Sequence, residues 1–343
     1  MSFSDSLINW YKYNARDLPW RRTTDPYKIW VSEIILQQTR VAQGLSYYNR
    51  FIDRFPNVET LANASEEDVL NMWQGLGYYS RAINMHYTSK IIVNNYSSTF
   101  PSNYQEIKNL KGIGDYTAAA IASFCFNLPH AVVDGNVIRL LSRHFLIKKQ
   151  FASAKERKMF QDIAQKNIDV RSPGIYNQSV MELGALICTP KSPRCNNCPV
   201  QKTCKAYKLD LVDALPIRKK RKDIVLRYFH YFIVQKKDSV YLRKRTRGIW
   251  RGMFEFPLIE TDNGGLYHND QYQSIFGKEE LDLTHVSQSI THKLTHQMIV
   301  SKFYHVKGSI NDDDSFILVK WNMIDKYPIP KLIEKYLKLI KKI

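Results

Sequence analysis

Four of the five cysteines lie close together near the middle of the chain, in the spacing Cys188-x6-Cys195-x2-Cys198-x5-Cys204. So few cysteines cannot form a disulfide scaffold, and in a reducing compartment such a cluster is typical of metal binding. Four thiolates on one loop can hold an iron–sulfur cluster or tetrahedral zinc. Zinc sites usually show two close cysteine pairs, and only Cys195 and Cys198 form one. The spacing therefore favours a four-iron cluster, and zinc stays open as the alternative.

The chain divides near residue 210 into two regions with different hydrophobic periods. Residues 1–210 repeat apolar side chains at helical spacing, which predicts a mostly helical domain. Residues 211–226 contain five consecutive cations, Arg218 to Lys222, which repel one another and predict a solvated linker. Residues 227–343 change to an alternation of period two, which predicts an α+β domain.

Within the second region, Tyr228 to Val234 and Val240 to Arg243 are predicted to be paired strands. Phe303 to Val306 and Phe316 to Trp321 are predicted to be two more. Ile290 to Val300 also alternates as on a strand, so a metal-binding role for His292 and His296 is the less favoured interpretation. Pro328 and Pro330 precede an amphipathic closing helix.

The 343-residue chain has a net charge of +18 and 44% hydrophobic residues. The apolar content argues against disorder, and the charge indicates a polyanionic partner, nucleic acid before an anionic membrane. No apolar run reaches the roughly 20 residues that span a bilayer, and the first residues do not form a signal peptide. A cytoplasmic location without membrane contact is therefore predicted.

Two helices joined by a tight hairpin are predicted between residues 103 and 122. Ser102 to Gln105 has the capping-box pattern of a helix start, as does Ser65 to Asp68. Gly112 and Gly114 bracket an apolar residue and permit a hairpin whose free amides can receive a phosphate. A plain connection between helices is the alternative for this motif taken alone.

Two carboxyl groups are candidates for acid–base chemistry. Glu33 lies among apolar neighbours on a predicted helix, so desolvation should raise its pKa and suit it to donate a proton. Asp134 precedes another predicted helix, whose dipole should favour the ionised form, although simple helix capping is the alternative. A protonated carboxyl beside an ionised one is an arrangement that cleaves glycosidic bonds.

Four segments together resemble the MutY family of adenine DNA glycosylases, a branch of the helix-hairpin-helix glycosylases related to endonuclease III. They are Ser32 to Thr39, Leu110 to Thr117, Val133 to Asn136 and the cysteine loop 188–204, in that order and spacing. The resemblance implies a monomeric base excision repair enzyme that flips adenine out of double-stranded DNA, opposite 8-oxoguanine or guanine, and excises it. It also implies one 4Fe–4S cluster held by the four cysteines. Repair-protein partners cannot be predicted.

The resemblance assigns roles to further residues. Glu33 would protonate N7 of adenine, Asp134 would stabilise the positive sugar, and Tyr116 and Asn136 would organise the site. Bifunctional relatives carry a lysine at the position of Tyr116, so a monofunctional enzyme is expected. Asp115 departs from the family pattern and places a negative charge near the expected phosphate. The implied DNA and base contacts are Arg21, Leu36, Gln38, Tyr78, Gly112, Gly114 and Gln178, with core packing as the alternative for Leu36 and Tyr78.

The second domain resembles the Nudix-like domain with which this family recognises 8-oxoguanine. Leu294, Thr295 and His296 would occupy the loop that distinguishes 8-oxoguanine from guanine. The acidic signature of Nudix hydrolases is missing, because Glu279-Glu280 stands alone and Asp312 to Asp314 is predicted to lie in a turn. Binding without hydrolysis is therefore expected. Two rival functions are a glycosylase for another base, such as thymine opposite guanine, and a non-catalytic iron–sulfur DNA-binding protein.

Overall fold

The fold is described here from a computed structural model, which covers residues 2–217, 223–262, 264–265, 275–276, 282–307, 310 and 315–341. Three sequence predictions fall on segments outside these residues. They are the cation run Arg218 to Lys222, the pair Glu279-Glu280 and the turn at Asp312 to Asp314.

The chain forms two compact units that are not simply its two halves. The first, called the helical unit, contains Met1–Asn63 and Asn84–Lys220. The second, called the sheet unit, contains Ala64–Ile83 and Arg221–Ile343. A short segment from the predominantly helical part of the sequence thus belongs to the same unit as the strands.

The α-helices before the linker follow one another with short connections. They are α1 (Phe3–Asn14), α2 (Pro26–Leu36), α3 (Val41–Arg54), α4 (Val58–Asn63), α5 (Glu66–Trp73), α6 (Ser80–Tyr96), α7 (Tyr104–Asn109), α8 (Asp115–Phe126), α9 (Gly135–Phe145), α10 (Ala154–Asn167), α11 (Pro173–Leu186) and α12 (Lys205–Lys208). The prediction of a mostly helical first region is confirmed.

Side-chain caps fix where the helices that build the site begin. Asp25 accepts hydrogen bonds from the first amides of α2, and Asp134 accepts one from Val137 N at the start of α9. The predicted cap Ser65 accepts from Asp68 N. The predicted cap Ser102 is wrong, because the amide oxygen of Asn103 accepts from two backbone N–H groups and α7 starts one residue later.

The core of the helical unit lies between α1, α8, α9, α10 and α11. Leu7, Leu140, Leu141, Phe160 and Leu183 are all 2% exposed or less within it. Burying a side chain of this size stabilises the fold by roughly 1.5–3 kcal/mol. Small residues of α8, including Ala119 and Ala120, allow the helices around it to approach closely.

The described strands of the sheet unit form one mixed sheet. They are β1 (Val225–Lys236), β2 (Ser239–Lys244), β3 (Phe254–Glu255), β4 (Leu258–Thr261), β5 (Asp282–Val286), β6 (Ile290–Lys293), β7 (Gln297–Lys307) and β8 (Phe316–Lys320). The order is β3-β2-β1-β7-β5, with β4 beside β1, β6 beside β7 and β8 beside β2. The long central pair β1 and β7 is parallel, and Tyr228 lies opposite Val300.

Most strand predictions are confirmed, with two corrections. The predicted β1–β2 hairpin is present, with Gln235 opposite Val240. The predicted single strand Ile290 to Val300 is wrong, because β6 and β7 form a hairpin whose turn is closed by a 2.8 Å hydrogen bond from Leu294 N to Gln297 O. Trp321 starts a short 3-10 helix instead of ending β8.

The closing helix α13 (Lys331–Leu339) follows Pro330, as predicted, and buries Leu332, Ile333, Tyr336 and Leu337.

Residues 64–83 are anchored in the sheet unit by polar contacts. Lys244 Nζ lies 2.5 Å from Glu67 Oε1, and Asn71 Nδ2 donates to Lys326 O at 2.8 Å. None of the helices in the described ranges combines the length and apolar character needed to cross a bilayer.

Candidate active site

A cavity of about 500 Å³ opens into the helical unit. Seven of the residues singled out in the sequence line it: Arg21, Glu33, Leu36, Tyr116, Asp134, Asn136 and Gln178. The other predicted contacts, Gln38, Tyr78, Gly112, Gly114, Leu294, Thr295 and His296, do not. This volume lies within the roughly 300–1,000 Å³ of ordinary small-molecule pockets, so the cavity has room for a heterocyclic base.

Glu33 is the buried acid of this cavity. It lies on α2 between buried apolar neighbours and is 5% exposed. Burial raises the pKa of Glu33 to about 7, and the charge of Asp134 acts in the same direction. A hydrogen bond with the Tyr116 hydroxyl and the charge of Arg21 oppose the increase. The predicted upward shift is confirmed, and at neutral pH a large share of the Glu33 population retains its proton.

Asp134 immediately precedes α9 and lines the same cavity. Its carboxylate accepts hydrogen bonds from Val137 N at 2.7 Å and from Asn136 Nδ2 at 2.9 Å. Burial raises the pKa of Asp134, and these hydrogen bonds oppose the shift. The helix dipole was expected to favour the ionised form of Asp134, but burial has the larger effect and raises its pKa, so that expectation is wrong in direction. The hydrogen bonds nevertheless hold the carboxylate oxygens in place.

Asn136 connects Asp134 to a buried arginine. Arg139 Nη2 donates to Asn136 Oδ1 at 2.9 Å, and Arg139 Nε donates to the carbonyl oxygen of Cys188 at 2.6 Å. Helix α11 approaches this group through Gly184, where an added Cβ would lie 2.7 Å from Asn136 Cβ. A hydrogen-bonded chain therefore runs from the cavity to the backbone of the cysteine loop.

The wall opposite these groups carries a feature that the sequence analysis missed. Glu182 on α11 has a fully buried side chain and binds both Arg16 and Arg21. Burial alone would raise the pKa of Glu182, but the hydrogen bonds from the two arginines lower it to about 2. The available signal was the same as for Glu33, namely a single carboxylate on an otherwise apolar helix.

Gln178 lies one turn before Glu182 on α11 and also faces the cavity. Its side-chain oxygen accepts a hydrogen bond of 2.5 Å from the Tyr11 hydroxyl. The amide nitrogen of Gln178 thus remains as the group with hydrogen-bond donors to offer. Tyr11 is a second residue that the sequence analysis did not identify.

The helical hairpin forms as predicted between α7 and α8. Gly112 has φ +84°, and an added Cβ would lie 2.8 Å from Asn84 Cβ, so both conformation and space require glycine there. Gly114 has an ordinary extended backbone and open space around it. Asp115 forms an ion pair of 2.5 Å with Lys108, which offsets the negative charge near the hairpin amides.

The sheet unit brings together two of its predicted residues. Tyr78 has a left-handed backbone with φ +49°, and its hydroxyl forms a hydrogen bond with Thr295 in the turn between β6 and β7. Arg81 lies over the Tyr78 ring, with Cζ 5.7 Å from its centroid. Tyr78 is 49% exposed, so the core-packing alternative for it is wrong. Leu294 is half-buried and His296 is exposed on the same turn.

Gln38 and Leu36 lie at the end of α2 in the helical unit. Gln38 is exposed and has a left-handed backbone with φ +58°. Leu36 is half-buried and lines the cavity. The side chain of Leu36 therefore combines packing with access to whatever the cavity binds.

The four cysteines line a second, small cavity of about 20 Å³, and all have free thiols. Apolar Leu140, Ile187 and Val200 complete its wall, and Arg143 Nη1 lies 3.3 Å from Cys188 Sγ. Among the residues described, no group of three or more His, Cys, Asp or Glu side chains is arranged to hold a metal ion. Four soft donors around one apolar cavity fit the chemistry of an iron–sulfur cluster.

Comparison with known proteins follows the two regions of the chain. Residues 31–166 match the HhH-GPD superfamily of base excision DNA repair proteins, and residues 230–339 match the NUDIX domain. The adenine DNA glycosylase of Buchnera aphidicola subsp. Baizongia pistaciae is 39% identical over 268 residues, which cover 76% of this chain and 75% of the relative. The human adenine DNA glycosylase is 40% identical over 214 residues, covering 60% of this chain and 39% of the relative.

Solved structures confirm the fold of the first region. A thermostable thymine-DNA glycosylase matches with a TM-score of 0.56 and 26% identity, over 60% of this chain and 95% of that protein. Endonuclease III in a trapped covalent intermediate with DNA matches with a TM-score of 0.52 and 20% identity, over 61% and 95%. The predicted order of a helix-hairpin-helix glycosylase domain followed by a Nudix-like domain is confirmed.

Proposed function

The chain belongs to the adenine DNA glycosylases of base excision repair, and we propose that its cavity receives an adenine flipped out of the duplex opposite 8-oxoguanine or guanine. The enzyme is a DNA N-glycosylase, and DNA is its partner. The proposal about the adenine substrate rests on one observation. Glu33 and Asp134 line the same cavity, and the pKa of Glu33 is raised to about 7.

Glu33 acts as the general acid. Its proton passes to N7 of the adenine, so that the base leaves as a neutral molecule while the bond to the sugar breaks. The hydroxyl of Tyr116 holds the Glu33 carboxyl in position. Once deprotonated, Glu33 takes a proton from the water that adds to the sugar. The products are free adenine and an abasic site.

Asp134 stabilises the positive charge that develops on the sugar as the base leaves. The hydrogen bonds from Val137 N and Asn136 Nδ2 fix its oxygens before the substrate arrives, so no reorganisation is needed in the transition state. Tyr116 carries no amine that could form a Schiff base with the sugar. The proposal therefore includes a monofunctional reaction without strand cleavage. A monomer suffices for it, because one chain supplies both carboxyls.

The proposal also assigns recognition of the opposite base to the sheet unit. The exposed turn Leu294 to His296 and the Tyr78 side chain bonded to it offer a hydroxyl pair and an aromatic edge. Gln38 and the amides of the Gly112–Gly114 hairpin would contact the DNA from the helical unit. The ion pair of Asp115 with Lys108 supports a hairpin that still attracts phosphate.

We propose one 4Fe–4S cluster as the resident cofactor, held by Cys188, Cys195, Cys198 and Cys204. When bound, the cluster would serve as a structural crosslink of the loop. Arg143 Nη1 donates a hydrogen bond to Cys188 Sγ at 3.3 Å, and hydrogen bonds to the sulfurs are a usual feature around such clusters. Purified protein should absorb in the visible range and contain iron and sulfide in equal amounts. Zinc without sulfide would overturn this assignment.

A single-turnover assay tests the function. Four duplexes are compared: adenine opposite 8-oxoguanine, adenine opposite guanine, thymine opposite guanine, and intact adenine opposite thymine. Adenine should be released from the first two only, with strand breaks appearing only after alkali and no adduct trapped by borohydride. Release of thymine from its mispair would favour the sister glycosylase, and absence of any release with retained binding would favour the non-catalytic DNA-binding protein.

A further inference from the structure

The Glu182 carboxylate is bound by two arginines from outside its own helix. Arg16 donates through its backbone N at 2.9 Å, Nε at 2.8 Å and Nη2 at 2.6 Å. Arg21 donates through Nη1 at 3.0 Å and Nη2 at 2.7 Å. Both carboxylate oxygens are therefore shared between two guanidinium groups.

This arrangement fixes the two guanidinium planes at the cavity wall. A bidentate pair of a planar guanidinium and a carboxylate restricts orientation as well as distance. Arg21 is also held by the carbonyl oxygen of Arg16, at 3.1 Å from Nη1, and by the Tyr11 ring, whose centroid lies 5.5 Å from Cζ. Arg21 is only 14% exposed and Glu182 not at all, so water does not compete for these contacts.

The same carboxylate pairs with Arg21, the arginine whose charge opposes the raised pKa of Glu33. The other charged or titratable groups that line the cavity are Arg16, Arg21, Arg40, Tyr116, Asp134 and Glu182. Without Glu182, the charge of Arg21, which already opposes the raised pKa of Glu33, would lose its paired carboxylate. Positive charge near a carboxyl favours its ionised form, which has no proton to donate.

We propose that Glu182 is a positioning residue for adenine excision, which holds Arg16 and Arg21 as fixed hydrogen-bond donors at the base pocket and cancels their charge beside Glu33. The inference rests on the proposed function, because it takes Glu33 as the acid and the cavity as the base pocket. Glu182 does not touch the reacting atoms and acts through the two arginines.

The test is the pH dependence of single-turnover adenine excision. Glu182→Gln keeps the shape of the side chain and removes its charge. The rate at pH 7 should fall ~10- to 100-fold because the donors lose their fixed positions. In the profile of excision rate against pH, the descending limb should move to lower pH by about one unit. The reason is that arginine charge no longer paired with Glu182 favours the ionised form of Glu33. A wild-type enzyme that releases no adenine would instead refute the proposed function.

Three further variants separate this role from a loss of stability. Glu182→Asp keeps the charge, so it should lose part of the rate but retain the wild-type limb. Arg21→Met removes a positive charge, so its limb should move to higher pH, opposite to Glu182→Gln. Glu255→Gln is the matched control, since Glu255 is also buried beside two arginines, Arg243 and Arg245, but lies in the sheet unit.

If Glu182 only stabilised the fold, the variants would give different results. An unshifted limb in a folded Glu182→Gln variant would overturn the proposal, as would an equal shift in Glu255→Gln. If Glu182→Gln does not fold, Arg21→Met decides: a limb that stays in place or moves to lower pH overturns the proposal, and one that moves to higher pH supports it. Melting temperatures of all variants are recorded on the same samples.

Discussion

The helical and sheet units carry their functional groups in opposite ways. In the helical unit Glu33, Asp134 and Glu182 lie around one cavity, where burial and hydrogen bonds shift their pKa values in different directions. In the sheet unit Tyr78 and Thr295 are exposed and meet through a single hydrogen bond. Enclosed groups with shifted pKa values suit proton transfer near neutral pH, whereas the exposed pair offers a hydroxyl and an aromatic ring for contact. Under the proposed function, the helical unit determines whether excision occurs, and the sheet unit determines which opposite base permits it.

The largest effect is expected at the enclosed acid. Glu33→Gln removes the donated proton without changing side-chain size, so the single-turnover rate at pH 7 should fall by roughly 10²–10⁴-fold. Asp134→Asn keeps a side chain that can cap α9 and should lose activity while the melting temperature stays near that of wild type. Glu59→Gln, an exposed change on α4, is the control. Excision by Glu33→Gln at the wild-type rate would contradict the role of Glu33 as the general acid.

Glu33→Gln should decrease activity but increase stability at neutral pH. The folded pKa of Glu33 is about 7 and its ordinary value is 4.5, so the contribution of Glu33 to stability is greatest below pH 4.5 and is lost as pH rises towards 7. Relative to its effect at pH 4, Glu33→Gln should therefore gain up to about 3 kcal/mol of unfolding free energy above pH 7. Denaturant unfolding at pH 4, 6 and 8 measures this gain, which Glu59→Gln should not show.

A smaller effect is expected at the exposed turn. Thr295→Ala removes the hydrogen bond to Tyr78 but leaves the cavity unchanged. The ratio of excision rates opposite 8-oxoguanine and opposite guanine should fall about fivefold, which corresponds to roughly 1 kcal/mol for one hydrogen bond. Thr291→Ala, on the neighbouring strand β6, serves as the control. An equal loss of rate on both duplexes would contradict the division of roles.

The smallest effect is expected at the hairpin. Asp115→Asn releases Lys108 from its ion pair, so undamaged duplex should bind a few-fold more tightly, in line with the roughly 0–1 kcal/mol of an exposed pair. The slope of log affinity against log salt should steepen by about one. Asp162→Asn on α10 makes the same charge change elsewhere. If the two variants bind alike, Asp115 does not affect the phosphate contact.

The sequence predicted features that depend on near neighbours. The apolar surroundings of Glu33 predicted its burial and the direction of its pKa shift. Helix capping, one of the two roles considered for Asp134, is observed at the start of α9. Hydropathy did not detect the turn at Leu294 to His296, because the alternation continues in phase from β6 into β7. Period two alone cannot distinguish one long strand from two strands joined by a short turn.

Features that join distant parts of the chain could not be predicted from local patterns. Arg16 and Glu182 are separated by 166 positions, and Tyr78 and Thr295 by 217. The raised pKa of Asp134 is caused by burial, which depends on tertiary packing and not on the local sequence pattern. Local sequence indicated the capping role of Asp134 but not how deeply packing would bury it.

The assignment of residues 64–83 to the sheet unit affects how the protein can be divided. The ion pair of Glu67 with Lys244 and the bond from Asn71 to Lys326 join a segment within the first part of the chain to partners more than 170 residues later. One cut in the gene, at any position, cannot release both units whole. An engineer who wishes to transplant the sheet unit, with the recognition role proposed for it, onto another glycosylase must therefore move two separate pieces of sequence, residues 64–83 as well as the C-terminal sheet.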